Sequence, residues 1–185
     1  HMCHRHRLAL RVLLALAMLG AFVARYGVAS AWAQEAQHPM EGRYRLVEAE
    51  SDDVRAAIER GTDGMNFVRR ALARRGLKEA GAAYRTIAIT SSDSLVAVSM
   101  DGHAPVVTPA DGRPTEWEAD DGARYRVRTA WLDGALRQTF IADDRQRENL
   151  FSLEEDGTTL RVRVTLTSGK LPAPIVYTLV YRRVG

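Results

Sequence analysis

Cysteine and histidine are almost missing from this sequence. One of the 185 residues is cysteine, Cys3, and only His38 and His103 lie beyond the first six positions. A single thiol cannot form an intrachain disulfide, and two distant histidines give no pair at the spacing of a zinc or iron site. The G-x-S-x-G, phosphate-loop and G-x-G-x-x-G motifs are absent too. The sequence therefore gives no indication of the common catalytic serine or nucleotide-binding sites. We therefore expect a protein that is not an enzyme and needs no metal or cofactor.

The N-terminal region has the order of a secretory signal peptide. Arg5, Arg7 and Arg11 precede an apolar stretch at residues 12–24, and residues 31–33 supply an A-x-A cleavage site. An uncleaved membrane anchor is the alternative, but a helix of this length rises only about 20 Å, short of a hydrocarbon core of about 30 Å. We expect residues 1–33, with a leading cloning residue, to be removed.

Cleavage after residue 33 changes the charge that the chain presents. The whole sequence has 26 basic and 23 acidic residues and a pI of about 9.3, which would favour an anionic partner such as nucleic acid. Removing residues 1–33 takes away four arginines and no acidic residue, leaving 22 basic against 23 acidic residues. We therefore expect residues 34–185 to form one nearly neutral, monomeric domain that is periplasmic or secreted.

Turn pairs recur at near-even spacing in the second half of the chain. Asp-Gly pairs begin at residues 101, 111, 121, 133 and 156, and each supplies the positive-φ positions of a tight hairpin turn. The segments between them alternate apolar with polar side chains, which is typical of strands with two unlike faces. Continuous pairing of neighbours favours a sheet that closes on itself. We predict a mostly β fold, an antiparallel meander barrel of about ten strands at residues 42–48, 84–90, 95–100, 104–108, 115–119, 123–131, 135–142, 145–154, 158–167 and 175–184.

A helical hairpin is predicted after the first strand. Residues 51–53, Ser-Asp-Asp, offer an N-cap with acidic side chains where the helix dipole favours them. Gly61 is expected to end the first helix and Gly76 the second. We expect the apolar stripe of each helix to rest on the sheet. The stripes are Val54, Ala57 and Ile58 in the first helix and Met65, Val68, Ala71 and Leu72 in the second.

The second predicted helix also carries a basic cluster. Its members are Arg69, Arg70, Arg74, Arg75 and Lys78. One interpretation is a solvated helix face above the apolar stripe. The other is a docking surface for anionic lipid head groups, to which each basic residue contributes about 1 kcal/mol. The sequence leaves both interpretations open.

Two further patterns resemble functional sites and have simpler explanations. Glu116 and Glu118 lie on one face of a strand and could imitate a catalytic carboxylate pair, but such pairs commonly protect a sheet edge. Arginines alternate along residues 124–128 and 161–163, but the neighbouring aromatic residues Tyr125 and Trp131 lie on the opposite strand face. They cannot build one stacking surface, so we expect no nucleic-acid binding and interpret the arginines as a solvent face paired with acids.

The order of one strand, two helices and nine meandering strands resembles the fatty-acid-binding-protein branch of the lipocalin-like (calycin) barrels. The resemblance covers nearly all of residues 34–185, includes the terminal run 160–183, and fits an exported bacterial type. It implies a carboxylate site built from an Arg-x-Tyr on the last strand, one more arginine and a glutamine. Matching Tyr181 to that tyrosine puts Leu179 in the arginine's place. The main anion anchor of the family is therefore missing.

The resemblance, combined with strand alternation, gives a candidate ligand site inside the barrel. The candidate polar lining residues are Gln138, Arg147, Asn149, Tyr177 and Tyr181. The candidate apolar lining residues are Trp131, Phe140, Phe151, Val162 and Val164.

The leading hypothesis is non-catalytic binding or transport of a small hydrophobic or amphipathic ligand, such as a fatty acid or another lipid, in the cell envelope. Transient contact with an anionic membrane surface would accompany it. The competing hypothesis is an envelope scaffold whose barrel is filled by its own side chains. A barrel enzyme is a weaker third alternative, since no reactive group can be named. The volume of the lumen discriminates between the first two.

Overall fold

A computed structural model describes residues 38–81 and 83–185, without the side chains of residues 78–80. The proposed leader and Cys3 lie outside the described residues. The chain begins with β1 (Gly42–Leu46), a 3₁₀ turn (Glu48–Glu50), α1 (Val54–Thr62) and α2 (Phe67–Ala80). The strands that follow are β2 (Thr86–Ser91), β3 (Leu95–Met100), β4 (Val106–Pro109), β5 (Thr115–Glu118), β6 (Arg124–Leu132), β7 (Ala135–Ala142), β8 (Arg145–Leu153), β9 (Thr159–Ser168) and β10 (Ile175–Val184).

These strands form one ten-stranded antiparallel sheet in the order β4-β3-β2-β1-β10-β9-β8-β7-β6-β5. Each strand pairs with its sequence neighbour except at the two ends of the order, and β1 pairs with β10. The predicted meander and the helical hairpin after the first strand are confirmed. Strand bounds differ from the prediction by a few residues, as in β4, which starts after Pro105 because proline donates no ladder hydrogen bond.

The Asp-Gly pairs at 101 and 133 have the predicted chemistry at both positions, whereas at 111, 121 and 156 only the glycine has a positive φ. Asp101 and Gly102 have φ values of 51° and 75°, and Asp133 and Gly134 have φ values of 49° and 81°. Two consecutive positive φ angles suit a tight hairpin turn, whose twist matches that of the strands. These turns join paired strands, whereas the prediction is wrong for Asp111-Gly112, which connects β4 to β5, the two ends of the sheet order.

The barrel has a seam between β4 and β5, the two ends of the sheet order. At one end of the seam the side chain of Thr108 donates to that of Thr129 on β6 at 2.6 Å. At the other end His103 Nδ1 lies 2.7 Å from a carboxylate oxygen of Asp120. Side chains therefore complete the closure that backbone ladders leave open, and the barrel is nearly closed.

Two of the three outward arginines of β6 pair with acids as predicted, while Arg128 has no ion pair among the described residues. Arg124 forms an ion pair with Glu118 at 3.0 Å, and Arg126 forms one with Glu116 at 3.7 Å. All four side chains are largely exposed. These residues are a solvated cross-strand ladder rather than a carboxylate pair or a basic stripe.

One end of the barrel is packed solid. Met40 is buried, and its carbonyl oxygen accepts a hydrogen bond from the Tyr44 hydroxyl at 2.8 Å. The ring of His38 stacks on Trp131 with centroids 3.6 Å apart, and this burial lowers the pKa of His38 against the opposing effect of Glu41. Residues 38–41 thus seal what we call the closed end.

The helical hairpin covers the other end, which we call the mouth. Asp53 caps α1 by accepting from the backbone nitrogen of Ala56, and Ala57 and Ile58 are buried as predicted. Gly61 does not end α1. A Cβ there would overlap with Ile175 on β10, so this glycine allows the helix to approach the sheet closely.

The second helix differs from its prediction in two ways. It continues past Gly76 to Ala80, because Leu77 packs against the core and holds the last turn on the barrel. Its predicted apolar stripe does not rest on the sheet. Val68 is 66% exposed and Leu72 67% exposed. Met65 precedes the helix, and the contact of α2 with the core is made by Leu77 near its C-terminal end.

None of the helices among residues 38–81 and 83–185 is long and apolar enough to cross a membrane.

Candidate functional site

A cavity of about 1050 Å³ lies beneath the helical hairpin at the mouth. Its roof is the inner side of α2, and its rim is formed by the β3–β4, β5–β6, β7–β8 and β9–β10 turns. Such a volume lies at the upper end of the range for small-molecule sites, which is about 300–1,000 Å³. The lumen is therefore not filled by the protein's own side chains.

Three aromatic residues form one wall of the cavity. Trp117, Tyr125 and Phe140 come from β5, β6 and β7, with ring centroids 5.8 to 6.1 Å apart and mostly edge-to-face or tilted. Successive side chains of a strand point to opposite faces of the sheet, and these three residues occupy positions that face the lumen. Val98 and Met100 of β3 and Leu166 of β9 extend this apolar surface.

The inner face of β8 is polar from the mouth inward. Arg145, Arg147 and Asn149 occupy alternate positions of this strand, and all three line the cavity. Arg147 Nε donates to Asn149 Oδ1 at 2.9 Å, and its guanidinium carbon lies 5.3 Å from the ring centroid of Tyr84. Phe140 and Leu166 are the register neighbours of Arg147 on β7 and β9. A cation is thus presented within an otherwise apolar section of the lumen.

Tyr177 and Tyr181 lie behind the cavity wall rather than in it. The Tyr177 hydroxyl donates to the Gly81 carbonyl at 2.8 Å, and the Tyr181 hydroxyl donates to the Tyr84 carbonyl at 2.9 Å. Burial raises the pKa of both phenols, against the opposing charge of Arg147. Their geometry fixes the segment that connects the helical hairpin to β2.

The remaining predicted contacts belong to the packed half of the barrel. Trp131, Gln138 and Phe151 do not line the cavity, and Gln138 and Phe151 are fully buried. Val162 and Val164 are also buried in the main core cluster. Of the predicted ligand-binding residues, the structure brings Phe140, Arg147 and Asn149 together around the cavity.

Gln138 has an unusual environment for a core residue. It lies in register between Thr129 on β6 and Asn149 on β8, one pleat below Phe140. Neither its amide oxygen nor its amide nitrogen has a hydrogen-bond partner. Leaving such groups unsatisfied costs about 1–3 kcal/mol. Thr129 and Gln138 therefore form a buried polar layer beneath Asn149, the member of this row that lines the cavity, and above the apolar closed end.

The predicted docking arginines fall into two groups. Arg70 donates to the carbonyl oxygens of Asp63 and Met65, and Arg74 donates to the Thr62 hydroxyl, so both tie α2 to the end of α1. Arg75 is exposed on the surface, and Arg69 lines the cavity mouth. Phe67 is 85% exposed, as are most of the Val68 and Leu72 surfaces. Leu72 also lines the cavity, so apolar and basic groups occur together along α2 rather than on a single face of it.

Several lining residues were missed by the sequence reasoning. Tyr84 was placed in the predicted strand 84–90 but precedes β2, and its inner face was not assigned, as was also the case for the strands of Met100 and Trp117. The apolar alternation of residues 96–100 could have identified the first inner face. The pairing of His103 with Asp120 depends on closure of the seam and has no sequence signal.

No protein-family profile matches the sequence, and no curated protein matches it either. Solved structures do match. The REP1-NXSQ fatty acid transporter is 15% identical with a TM-score of 0.52, over 79% of this chain and 96% of that one. Lipid binding protein 8 of Caenorhabditis elegans is 14% identical with a TM-score of 0.50, over 82% and 100%. The SAHS protein of Ramazzottius varieornatus is 9% identical with a TM-score of 0.54, over 79% and 96%. The described part of this chain therefore has the calycin fold, in the ten-stranded form found in fatty-acid-binding proteins.

Proposed function

We propose that this protein binds a small amphipathic ligand, such as a fatty acid or a related anionic lipid, without catalysing a reaction. The observation that carries this proposal is the cavity of about 1050 Å³, whose apolar wall surrounds Arg147 and Asn149. An apolar site with a few convergent polar groups is the usual form of a small-molecule site. Several proteins of the same fold are described as fatty acid or lipid binders, which supports the ligand class.

The scaffold alternative is less well supported. It requires a lumen occupied by aromatic side chains, and such side chains fill only the closed end, where Phe151 and Tyr44 are buried. The mouth half contains the cavity instead. A scaffold that needed only a folded barrel would gain stability by filling this volume, since cavities reduce stability.

The binding experiment is displacement of a polarity-sensitive fatty-acid probe from delipidated protein. We expect decanoate and longer fatty acids to compete, and Arg147→Ala to weaken their binding by about 10- to 150-fold, because a charge-assisted contact is worth about 1.5–3 kcal/mol. Arg163→Ala is the matched control, since Arg163 is an exposed arginine of β9. Absence of probe uptake, together with lipid-free protein in native mass spectrometry, would refute the proposal.

We also propose that α2 delivers the ligand to an anionic membrane surface of the cell envelope, after export and removal of the leader. Phe67, Val68 and Leu72 are exposed on α2, and Arg69 and Arg75 lie on the same short segment. Apolar side chains inserted at a lipid interface with basic residues near it are typical of interfacial helices. Leu77 holds the C-terminal part of α2 on the core, and Arg70 and Arg74 hold its first half against the end of α1, so these side chains are displayed on a fixed helix.

A vesicle transfer assay tests this second proposal. Arg69→Gln with Arg75→Gln should slow transfer to anionic vesicles and reduce its salt dependence, because each basic residue near such a surface contributes about 1 kcal/mol. Arg70 and Arg74 are left intact, since their replacement would also loosen the hairpin. Arg128→Gln with Arg163→Gln, an equal loss of charge on the outer barrel wall, is the control. Equal slowing in both double variants would refute a role of α2.

A further inference from the structure

Arg145 and Lys170 lie at one corner of the cavity mouth, and two further basic residues line the same cavity. Arg145 lies two positions before Arg147 on the same face of β8, about 7 Å away along the strand. Arg145 pairs in register with Ser168, and Lys170 follows in the β9–β10 turn. Arg69 approaches from α2, and all four basic residues line the cavity. The single cation predicted for this site is therefore one of a group.

The two described acids that line the same cavity, Asp120 and Asp121, already have polar partners. Asp120 lies 2.7 Å from His103, and a carboxylate oxygen of Asp121 accepts from the backbone nitrogen of Ala123 at 2.9 Å. Both come from the β5–β6 turn, on the seam side of the rim. Among the described side chains that line the cavity, four basic residues thus accompany two acidic ones, whereas residues 38–185 hold 22 of each. The cavity concentrates positive charge that the domain as a whole lacks.

The β7–β8 turn also carries two acids close to Arg145. Asp143 lies 3.9 Å from Arg145, with both side chains mostly exposed, and Asp144 accepts from the Ser168 hydroxyl at 3.1 Å. Within the described ranges neither acid lines the cavity. Exposed ion pairs of this kind are worth about 0–1 kcal/mol. The contact with Asp143 therefore does not prevent Arg145 from binding an anionic ligand.

We propose that this corner of the mouth binds a phosphomonoester head group, with the hydrocarbon chain of the ligand in the cavity. The inference rests on the proposed binding function and specifies its ligand class. A carboxylate carries one charge and two oxygens, whereas a phosphomonoester carries about −1.5 to −2 charges and three acceptor oxygens. Arg145, Lys170 and Arg69 offer donors from three separate elements, which suits an anion with several oxygens. A dianion also stays near water at the mouth, because deep burial of its charge would be costly.

Four competitors with matched features test the proposal by displacement of the fatty-acid probe at pH 8. They are decyl phosphate, decyl sulfate, decanoate and inorganic phosphate. We expect decyl phosphate to bind about tenfold more tightly than decanoate, as one additional charge-assisted contact would give. Inorganic phosphate should not displace the probe at the same concentration, because it has no chain to occupy the cavity.

Two double variants locate the head group. Arg145→Gln with Lys170→Gln should reduce the ratio of the decyl phosphate and decanoate affinities to about one, since the additional contact is lost. Arg128→Gln with Arg163→Gln removes the same charge from exposed positions of β6 and β9 and should leave the ratio at its original value. A ratio that falls equally in both variants would overturn the assigned position.

The protonation of the ligand supplies an independent readout. The second pKa of a phosphomonoester is about 6, whereas an alkyl sulfate stays a monoanion. The advantage of decyl phosphate over decyl sulfate should therefore fall between pH 8 and pH 5. Comparing the two ligands on the same protein cancels changes of the protein itself, whose ionisable groups at the cavity are His103, Asp120, Asp121 and the four basic residues.

The outcomes separate this inference from the function on which it rests. If decanoate competes and decyl phosphate is no tighter, the phosphomonoester assignment is wrong and binding of amphiphiles stands. If none of the alkyl ligands competes, the proposed function itself fails. Displacement by inorganic phosphate alone would overturn the amphiphile assignment in favour of a site for the free anion.

Discussion

The hydroxyl of Tyr177 should control the mobility of the helical hairpin. It donates from β10 to the Gly81 carbonyl at 2.8 Å, directly after the last turn of α2. Tyr177→Phe removes this donor and leaves a buried carbonyl without it, which costs about 1–2 kcal/mol. If the cost falls on local opening of α2, amide exchange there should accelerate by about 5- to 30-fold. Release of a bound fatty-acid probe should accelerate as well.

Tyr44→Phe is the matched control for this prediction. The Tyr44 hydroxyl donates to a buried carbonyl, that of Met40, at the same 2.8 Å, but at the closed end. Both variants should lower the free energy of unfolding in urea by similar amounts. Hydrogen-exchange mass spectrometry should show faster exchange in α2 for Tyr177→Phe alone. Equal acceleration of amide exchange in α2 in both variants would refute the role of Tyr177 in holding the helical hairpin.

Three further predictions concern stability, and urea unfolding measures each. Gly76→Ala should raise the free energy of unfolding by about 0.5–1 kcal/mol, because an added Cβ contacts nothing within 4 Å. Gly61→Ala should lower it, because the added Cβ overlaps with Ile175. The reverse order of the two effects would contradict the packing described. Gln138→Leu should be neutral or stabilising, since it removes an amide without partners. A loss of more than about 2 kcal/mol would show that the amide is satisfied in solution. Burial raises the pKa of Tyr44, Tyr177 and Tyr181 above the value of about 10 in an unfolded chain, so the folded state holds these protons more tightly. Their contribution to stability should be complete below about pH 10 and fall above it, and a free energy that is unchanged between pH 9 and pH 11 would contradict this.

The strand order could be predicted because it depends on local chemistry. Asp133 and Gly134 occur where two consecutive positive φ angles are needed, and such a turn pairs the strands on either side. The seam between β4 and β5 could not be predicted, since each strand has the same alternating pattern as its neighbours. Whether two strands are joined by a ladder depends on closure of the whole sheet.

The helices show what periodicity leaves open. An apolar stripe predicts that one helix face avoids water, but it does not identify what covers that face. In α1 the stripe meets the sheet and Ile58 is buried, whereas in α2 Val68 and Leu72 remain exposed. Gly61 and Gly76 also have the same local appearance as helix ends, although one is a close packing site and the other faces open space.

The sequence predicted which side chains face the lumen, but not how far from the mouth each of them lies. Strand alternation places Gln138 and Phe140 of β7 and Arg147 and Phe151 of β8 inside the barrel, and the structure confirms that all four face inward. The pattern repeats every two residues, so it cannot distinguish a position in the cavity from one in the packed half. Depth depends on where the helices cover the barrel, and the sequence spacing does not contain that information.

An open lumen and a filled barrel were opposed as alternatives, yet each describes one half of the barrel. The closed half buries Tyr44, Leu136 and Phe151, so most apolar burial is independent of a ligand. In the mouth half Arg147 lines the cavity instead of packing in the buried core. Because the two halves use different positions of the same strands, substitutions at the mouth should change binding while the closed half maintains the fold. Loss of affinity in Arg147→Ala can therefore be attributed to the site once the unfolding free energy is shown to be unchanged within about 1 kcal/mol, the cost typical of single substitutions.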